Sequence, residues 1–227
     1  MLPGHFFTGK PLQVAKAIAA GDASAIKSLA AGVNVSQPGD RGMTLLWFAM
    51  QPAQPRFEAV RVLVALGVDP DKQSAKGIGT ALDFAVMNED LRYLQAMLDG
   101  GLSPNHSSPN KDGLLQRAAG PDGSLAHVKL LIERGAKLDL RDEIGGTALH
   151  SAVNARQPEV ALLLLQSGAK AGTVKSNGVS VAWSVQNAIN RQQPGPMRSA
   201  FEQVRDLMIR QGVKFPPEPP PAVAMGS

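Results

Sequence analysis

Residues 145–171 read GGTALHSAVNARQPEVALLLLQSGAKA, and their order is that of two short helices joined by a tight turn. Thr147 can cap a first helix, its hydroxyl accepting one of the backbone N–H groups that a helix start leaves orphaned. Ala148, Leu149 and Ala152 then fall on one face. Pro158 stands where a second helix begins, a position at which its missing N–H does no harm. Val160, Leu163 and Leu164 give that helix an apolar face, and Gly168 ends it in the left-handed conformation that helix termini favour.

The same phrase recurs outward in both directions. A leucine-rich stretch followed by two polar or small residues, a glycine and a small apolar residue closes at Gly32, Gly67, Gly101, Gly135, Gly168 and Gly212, spaced 35, 34, 34, 33 and 44 residues apart. A period near 33 is the signature of stacked helical repeats. The copies are MTLLWFA (43–49) with VRVLVALGVDP (60–70), GTALDFA (79–85) with LQAMLDGGLSPN (94–105), and GLLQRA (113–118) with VKLLIERGAKLD (128–139). The opening copy, PLQVAKAIAAGDASAIKSLAAGVNV (11–35), lacks the leading turn, and the last spans Gly178 to Lys214.

The pattern Gly-x-Thr-x-Leu-His, two helices, then Gly-Ala resembles the ankyrin repeat. Gly145, Thr147, Leu149, His150, Gly168 and Ala169 match it, while Ala148 stands where proline is usual. The resemblance implies an all-α fold, a solenoid of about six helix-turn-helix repeats with short hairpin loops. The expected organisation is an N-terminal extension at 1–9, a repeat domain at 10–214 and a proline-rich, disordered tail at 215–227. Two insertions, QPAQP (51–55) and RQQPGPMRS (191–199), read as loops that leave the wall of the stack.

Composition narrows the chemistry. Hydrophobic residues make up 44% of the chain but aromatic ones only 4%, so the core is built from Ala, Leu, Val and Ile. The absence of cysteine removes disulfides, thiolate zinc sites and a cysteine nucleophile together. A net charge of +4, spread without a run of like charges, reads as a solvated helical surface rather than a nucleic-acid footprint. No stretch approaches the ~18 apolar residues of a membrane span. The start lacks the form of a secretory signal, which leaves two expectations for location: cytoplasmic, or periplasmic with a signal or lipoprotein anchor removed.

No motif supplies a catalytic group, cofactor or metal. His150 is read as structural, bonding the backbone of nearby turns; His5, His106 and His127 share no ligand spacing. Gly77 and Gly79 in KGIGT fit a hairpin tip better than a phosphate loop, and Asn105-His106-Ser107 is a glycosylation pattern too short to carry weight. Trp47 and Trp183 share the position of His150 and are read as packing between first helices, with a binding role open. Met50, Met87 and Met197 would be adaptable contacts if exposed and gap-fillers if buried.

The resemblance implies a non-enzymatic protein-binding module whose partners touch the hairpin tips and the face made by the first helices. Carried onto this chain, the tips are Asp40, Arg41, Met43, Gln73, Lys76, Arg141, Glu143 and Asn177. The first-helix face supplies Gln51, Met87, Asn88, Asn154 and Asn187. A weaker resemblance, carried by PLQVAKAIAAGD and RGMTLLWFAM, is to small bacterial ankyrin proteins of the toxin-immunity type. It implies a monomer, or a heterodimer with one sequestered partner such as a secreted toxic enzyme. The alternative is a general scaffold or a host-directed effector without a single inhibitory target. Neither reading involves nucleic acid.

Overall fold

Each repeat closes on a glycine, and the backbone bonds show why. Gly67, Gly101, Gly135, Gly168 and Gly212 all have positive φ, between 81° and 100°. In each case the next residue returns its N–H to the carbonyl five positions back: Val68 to Leu63, Leu102 to Met97, Ala136 to Leu131, Ala169 to Leu164 and Val213 to Met208, at 2.9–3.2 Å. This satisfies a carbonyl that the helix end would otherwise leave orphaned, and it turns the chain back.

The computed structural model describes residues 1–51, 53–74, 79–108 and 112–221. Among these are twelve α-helices, arranged as two compact units of three helix pairs each. The first unit, Met1–Ser103, holds α1 (Gly9–Ala20) with α2 (Ala23–Leu29), α3 (Leu45–Ala49) with α4 (Phe57–Ala65), and α5 (Ala81–Met87) with α6 (Arg92–Asp99). The second, Pro104–Ser227, holds α7 (Leu114–Ala118) with α8 (Leu125–Glu133), α9 (Ala148–Asn154) with α10 (Pro158–Gln166), and α11 (Val181–Arg191) with α12 (Pro196–Arg210). Within a unit first helices stack on first helices (α1 on α3, α7 on α9, α9 on α11) and second on second (α2 on α4 on α6, α8 on α10 on α12). The hairpin turns are closed by isolated antiparallel bridges, Gln73 with Thr80, Ser107 with Gly113 and Val174 with Ser180.

The third helical residue after each cap is Trp47, Asp83, Gln116, His150 or Trp183, and this one position shows how the repeats diverged. Asp83 accepts from the Thr80 N–H, completing a capping box. Gln116 accepts from Gly113 N–H at 2.6 Å and donates to the Gly146 carbonyl at 2.8 Å, joining consecutive repeats. His150 Nδ1 accepts from the Thr147 N–H at 3.2 Å, so the cap is satisfied by the imidazole ring. Trp47 instead meets Phe84 edge to face at 4.9 Å, the start of a chain of rings through Tyr93 to Phe57.

A second polar thread ties neighbouring repeats. The side chain four residues past one closing glycine accepts from the N–H two residues past the next: Ser36 from Asp69, Asn105 from Lys137, and Asp139 from Lys170, at 2.7–2.9 Å.

The extension before α1 packs on the fold: Phe7 is buried and meets Phe48 at 5.8 Å. Two expectations need correction. The 191–199 insertion leaves only Gln192–Gly195 outside helices, because α11 runs to Arg191 and Pro196 opens α12. The first part of the expected free tail lies on the fold as well. Pro220 is buried, and Pro221 sits so close to Gly178 that a Cβ there would come within 2.4 Å of it. Residues 222–227 lie outside the described residues.

Candidate functional site

The first helices and the hairpin tips position the thirteen expected contact residues very differently. Asp40 and Arg41 are exposed in a short 3-10 turn, Asp40–Gly42. Met43 is not a tip residue: it is 6% exposed, because the chain turns inward at Gly42 and the Met43 carbonyl accepts from Gly39 N–H. Gln73 is exposed beside its bridge to Thr80, and Lys76 lies outside the described residues. Arg141, Glu143 and Asn177 are exposed. The Asn177 side-chain Oδ1 accepts from the Val179 N–H. Arg141 donates to the carbonyls of Gly145 and Val174, so it braces two hairpins.

On the first helices, Gln51 is half-buried and donates to the Trp47 carbonyl at 3.2 Å, finishing its own helix. Asn88 is half-buried and accepts from the Asp90 N–H. Met87 stands out at 57% exposed, whereas Met50 is a buried gap-filler and Met197 is exposed at the start of α12.

Asn154 and Asn187 are the two that the structure brings together. They line one cleft of about 280 Å³ between the end of α9 and the outer half of α11. Its other walls include Arg156, Trp183, Ser184 and Arg191. Trp183, Asn187 and Arg191 recur every four residues and therefore share one face of α11. That spacing was the available signal for Arg191; reading 191–199 as a loop concealed it. For Arg156 there was no signal beyond its place in the turn after α9.

Elsewhere some charged side chains form local ion pairs. Arg61 pairs with Glu58, and Arg92 with Asp90 at 2.7 Å while lying 4.6 Å over the Phe57 ring. Their hydrogen bonds hold both carboxyls below the ordinary range. His150 is lowered to about 4, chiefly by burial and next by the Lys175 ammonium, so it is neutral at pH 7. No group of three His, Cys, Asp or Glu side chains suited to a metal occurs among the described residues. No described helix is long and apolar enough to cross a membrane.

Comparison with known proteins decides the family. A profile described as ankyrin repeats (3 copies) matches residues 82–175, and one described as ankyrin repeats (many copies) matches 45–98, together more than half of the chain. The chain belongs to the ankyrin-repeat family. Protein PhlB of Serratia liquefaciens is 34% identical over 141 residues, which are 62% of this chain and 61% of PhlB; the chain thus spans about three fifths of that relative. Among solved structures, an ankyrin-repeat domain from Acinetobacter baumannii has a TM-score of 0.63 at 20% identity, covering 88% of this chain and 98% of that one. A chain in the complex of a Bdellovibrio bacteriovorus predatory endopeptidase with an immunity protein has a TM-score of 0.54 at 20% identity, covering 84% and 97%. The all-α ankyrin solenoid is thereby shown. Such repeats are protein-binding modules and generally non-catalytic, and this chain carries that fold.

Proposed function

We propose that this ankyrin-repeat protein binds and sequesters a single partner protein, as an inhibitory protein of the immunity type does. The observation that carries the reading is the meeting of Asn154 and Asn187 in one open cleft on the first-helix side of the second unit. Amides that are exposed or half-exposed there suit a polar surface that hydrogen-bonds another chain. The likeness to PhlB, a bacterial protein, and to a chain from an endopeptidase–immunity complex supports a bacterial setting and an enzyme as the partner.

The test is capture of partners from lysate and secreted fraction on the immobilised protein, followed by activity assay of whatever binds. One enzyme recovered in a 1:1 ratio and inhibited on binding is the expected result. Recovery of many substoichiometric partners, or of one whose activity is untouched, overturns the inhibitory reading.

A further inference from the structure

We propose that the cleft between α9 and α11 receives an acidic loop of the partner, with Arg156 and Arg191 pairing with its carboxylates. This rests on the protein-binding reading above and names the chemistry of the segment that is bound.

The cleft has a structural origin. Helix α9 stops after seven residues, at Asn154, and the chain turns through Ala155–Arg156 into Pro158. Helix α11 runs for eleven, so about one extra turn, roughly 6 Å, projects past its neighbour. The projecting face carries Asn187 and Arg191, with Trp183 at its base. The turn after α9 supplies Arg156 from the opposite side.

Charge selects the occupant. No carboxylate lines the cleft, and neither Arg156 nor Arg191 has an ion-pair or side-chain hydrogen-bond partner among the described residues. Arg61, Arg92, Arg198 and Arg205 all pair with a carboxylate within four residues of sequence. Two unpaired guanidinium forks across one cleft match carboxylates, which they can bind in bidentate fashion. Asn154 and Asn187 offer both donors and acceptors to an extended backbone, and half-buried Trp183 offers a flat apolar floor.

Arg156 adds an independent mark. Its φ is +57°, a left-handed conformation that strains a residue with a Cβ. The matching turn after α1 uses Gly21, at φ +74°. An arginine held where glycine is easier is the pattern of strain kept at a binding site. Two cations in a short cleft do not form the extended basic track that nucleic acid requires.

The probe is a synthetic acidic heptapeptide, Gly-Asp-Glu-Leu-Asp-Glu-Gly, with its amide counterpart Gly-Asn-Gln-Leu-Asn-Gln-Gly as control, followed by NMR of the indole N–H groups. The chain has two tryptophans, and buried Trp47 serves as the internal reference for Trp183. The acidic peptide is expected to shift Trp183 alone and to weaken with added salt. The double variant Arg156→Gly, Arg191→Gln, whose first change relieves strain, is expected to weaken binding by about tenfold or more. No shift at Trp183, an equal shift by the amide peptide, or full binding by the double variant overturns the proposal. A single-stranded oligonucleotide shifting Trp183 where the peptide does not also overturns it. If the double variant still captures and inhibits the partner, this cleft is wrong while the protein-binding reading stands; if the unaltered protein captures nothing, that reading itself falls.

Discussion

Arg141 donates a hydrogen bond to the carbonyl of Val174 at 3.0 Å, reaching from its own hairpin to the next one in the stack. It also meets the Gly145 carbonyl at 3.3 Å, while Ser176 returns a backbone bond to Ile144. An exposed arginine thus spends its donors on holding two hairpins together. Arg141→Ala is expected to lower stability by about 1–2 kcal/mol in urea denaturation, the worth of charge-assisted hydrogen bonds to backbone. An unchanged midpoint would mean that this residue is free to serve a partner alone.

His150 makes stability pH-dependent. Its folded value of about 4 lies below the ordinary 6.5, so between these values the unfolded chain binds more protons and stability rises with pH. The contribution is complete above about pH 6.5 and is lost on acidification towards pH 4, by roughly 2–3 kcal/mol. Denaturation curves across this window should show the loss, and His150→Asn, which keeps an acceptor for the Thr147 N–H, should flatten it.

Two glycines should fail for opposite reasons. A Cβ at Gly100 would lie 2.5 Å from the Arg61 carbonyl oxygen and 2.9 Å from the Val64 Cβ, because α4 and α6 approach closely there. Gly67 has open space around it but sits at φ +81°. Gly100→Ala is expected to cost more than about 2 kcal/mol through forced separation of the helices, and Gly67→Ala about 1 kcal/mol through backbone strain alone. Thermal unfolding that ranks them the other way would contradict this packing.

Arg156→Gly should stabilise the protein by about 1 kcal/mol, since glycine adopts the left-handed conformation freely. A gain of a few degrees in melting temperature, together with weaker binding of the acidic peptide, would be a trade of stability for function. A loss of stability would show that the arginine holds the turn instead.

Leu164 is fully buried in α10. Leu164→Ala is expected to cost about 3 kcal/mol, and Leu164→Asp to abolish the cooperative melt of the second unit by placing an unpaired charge in its core. Circular dichroism melts distinguish the two.

The repeat architecture was legible because its punctuation is local: a glycine that must turn left-handed and a capping residue that must precede a helix both act within a few positions. What the local signals could not give was the side of the wall on which a residue lands. Met43 directly follows one hairpin glycine and Glu143 stands two residues before another, yet Met43 is buried while Glu143 is exposed. Proline is equally two-faced. Pro196 looked like a loop marker in RQQPGPMRS but stands at the first position of α12, where its ring fits. Of the candidate site, the asparagines were visible as polar positions on the first helices. Arg156 was not, and Arg191 was only through its four-residue spacing from Asn187, since the meaning of both depends on one helix outrunning another.

The bonds from Ser36 to Asp69, Asn105 to Lys137 and Asp139 to Lys170 join successive repeats through the same two offsets, whatever the side chains involved. Each joint therefore recognises a place in the period and is indifferent to which copy fills it. Excision of residues 136–168 would carry the Lys170 N–H to Asn105 and restore a joint of the same kind. Where these couplings occur, a whole period can be lost or gained while a joint of the same kind is kept, so copy number can change by recombination between periods.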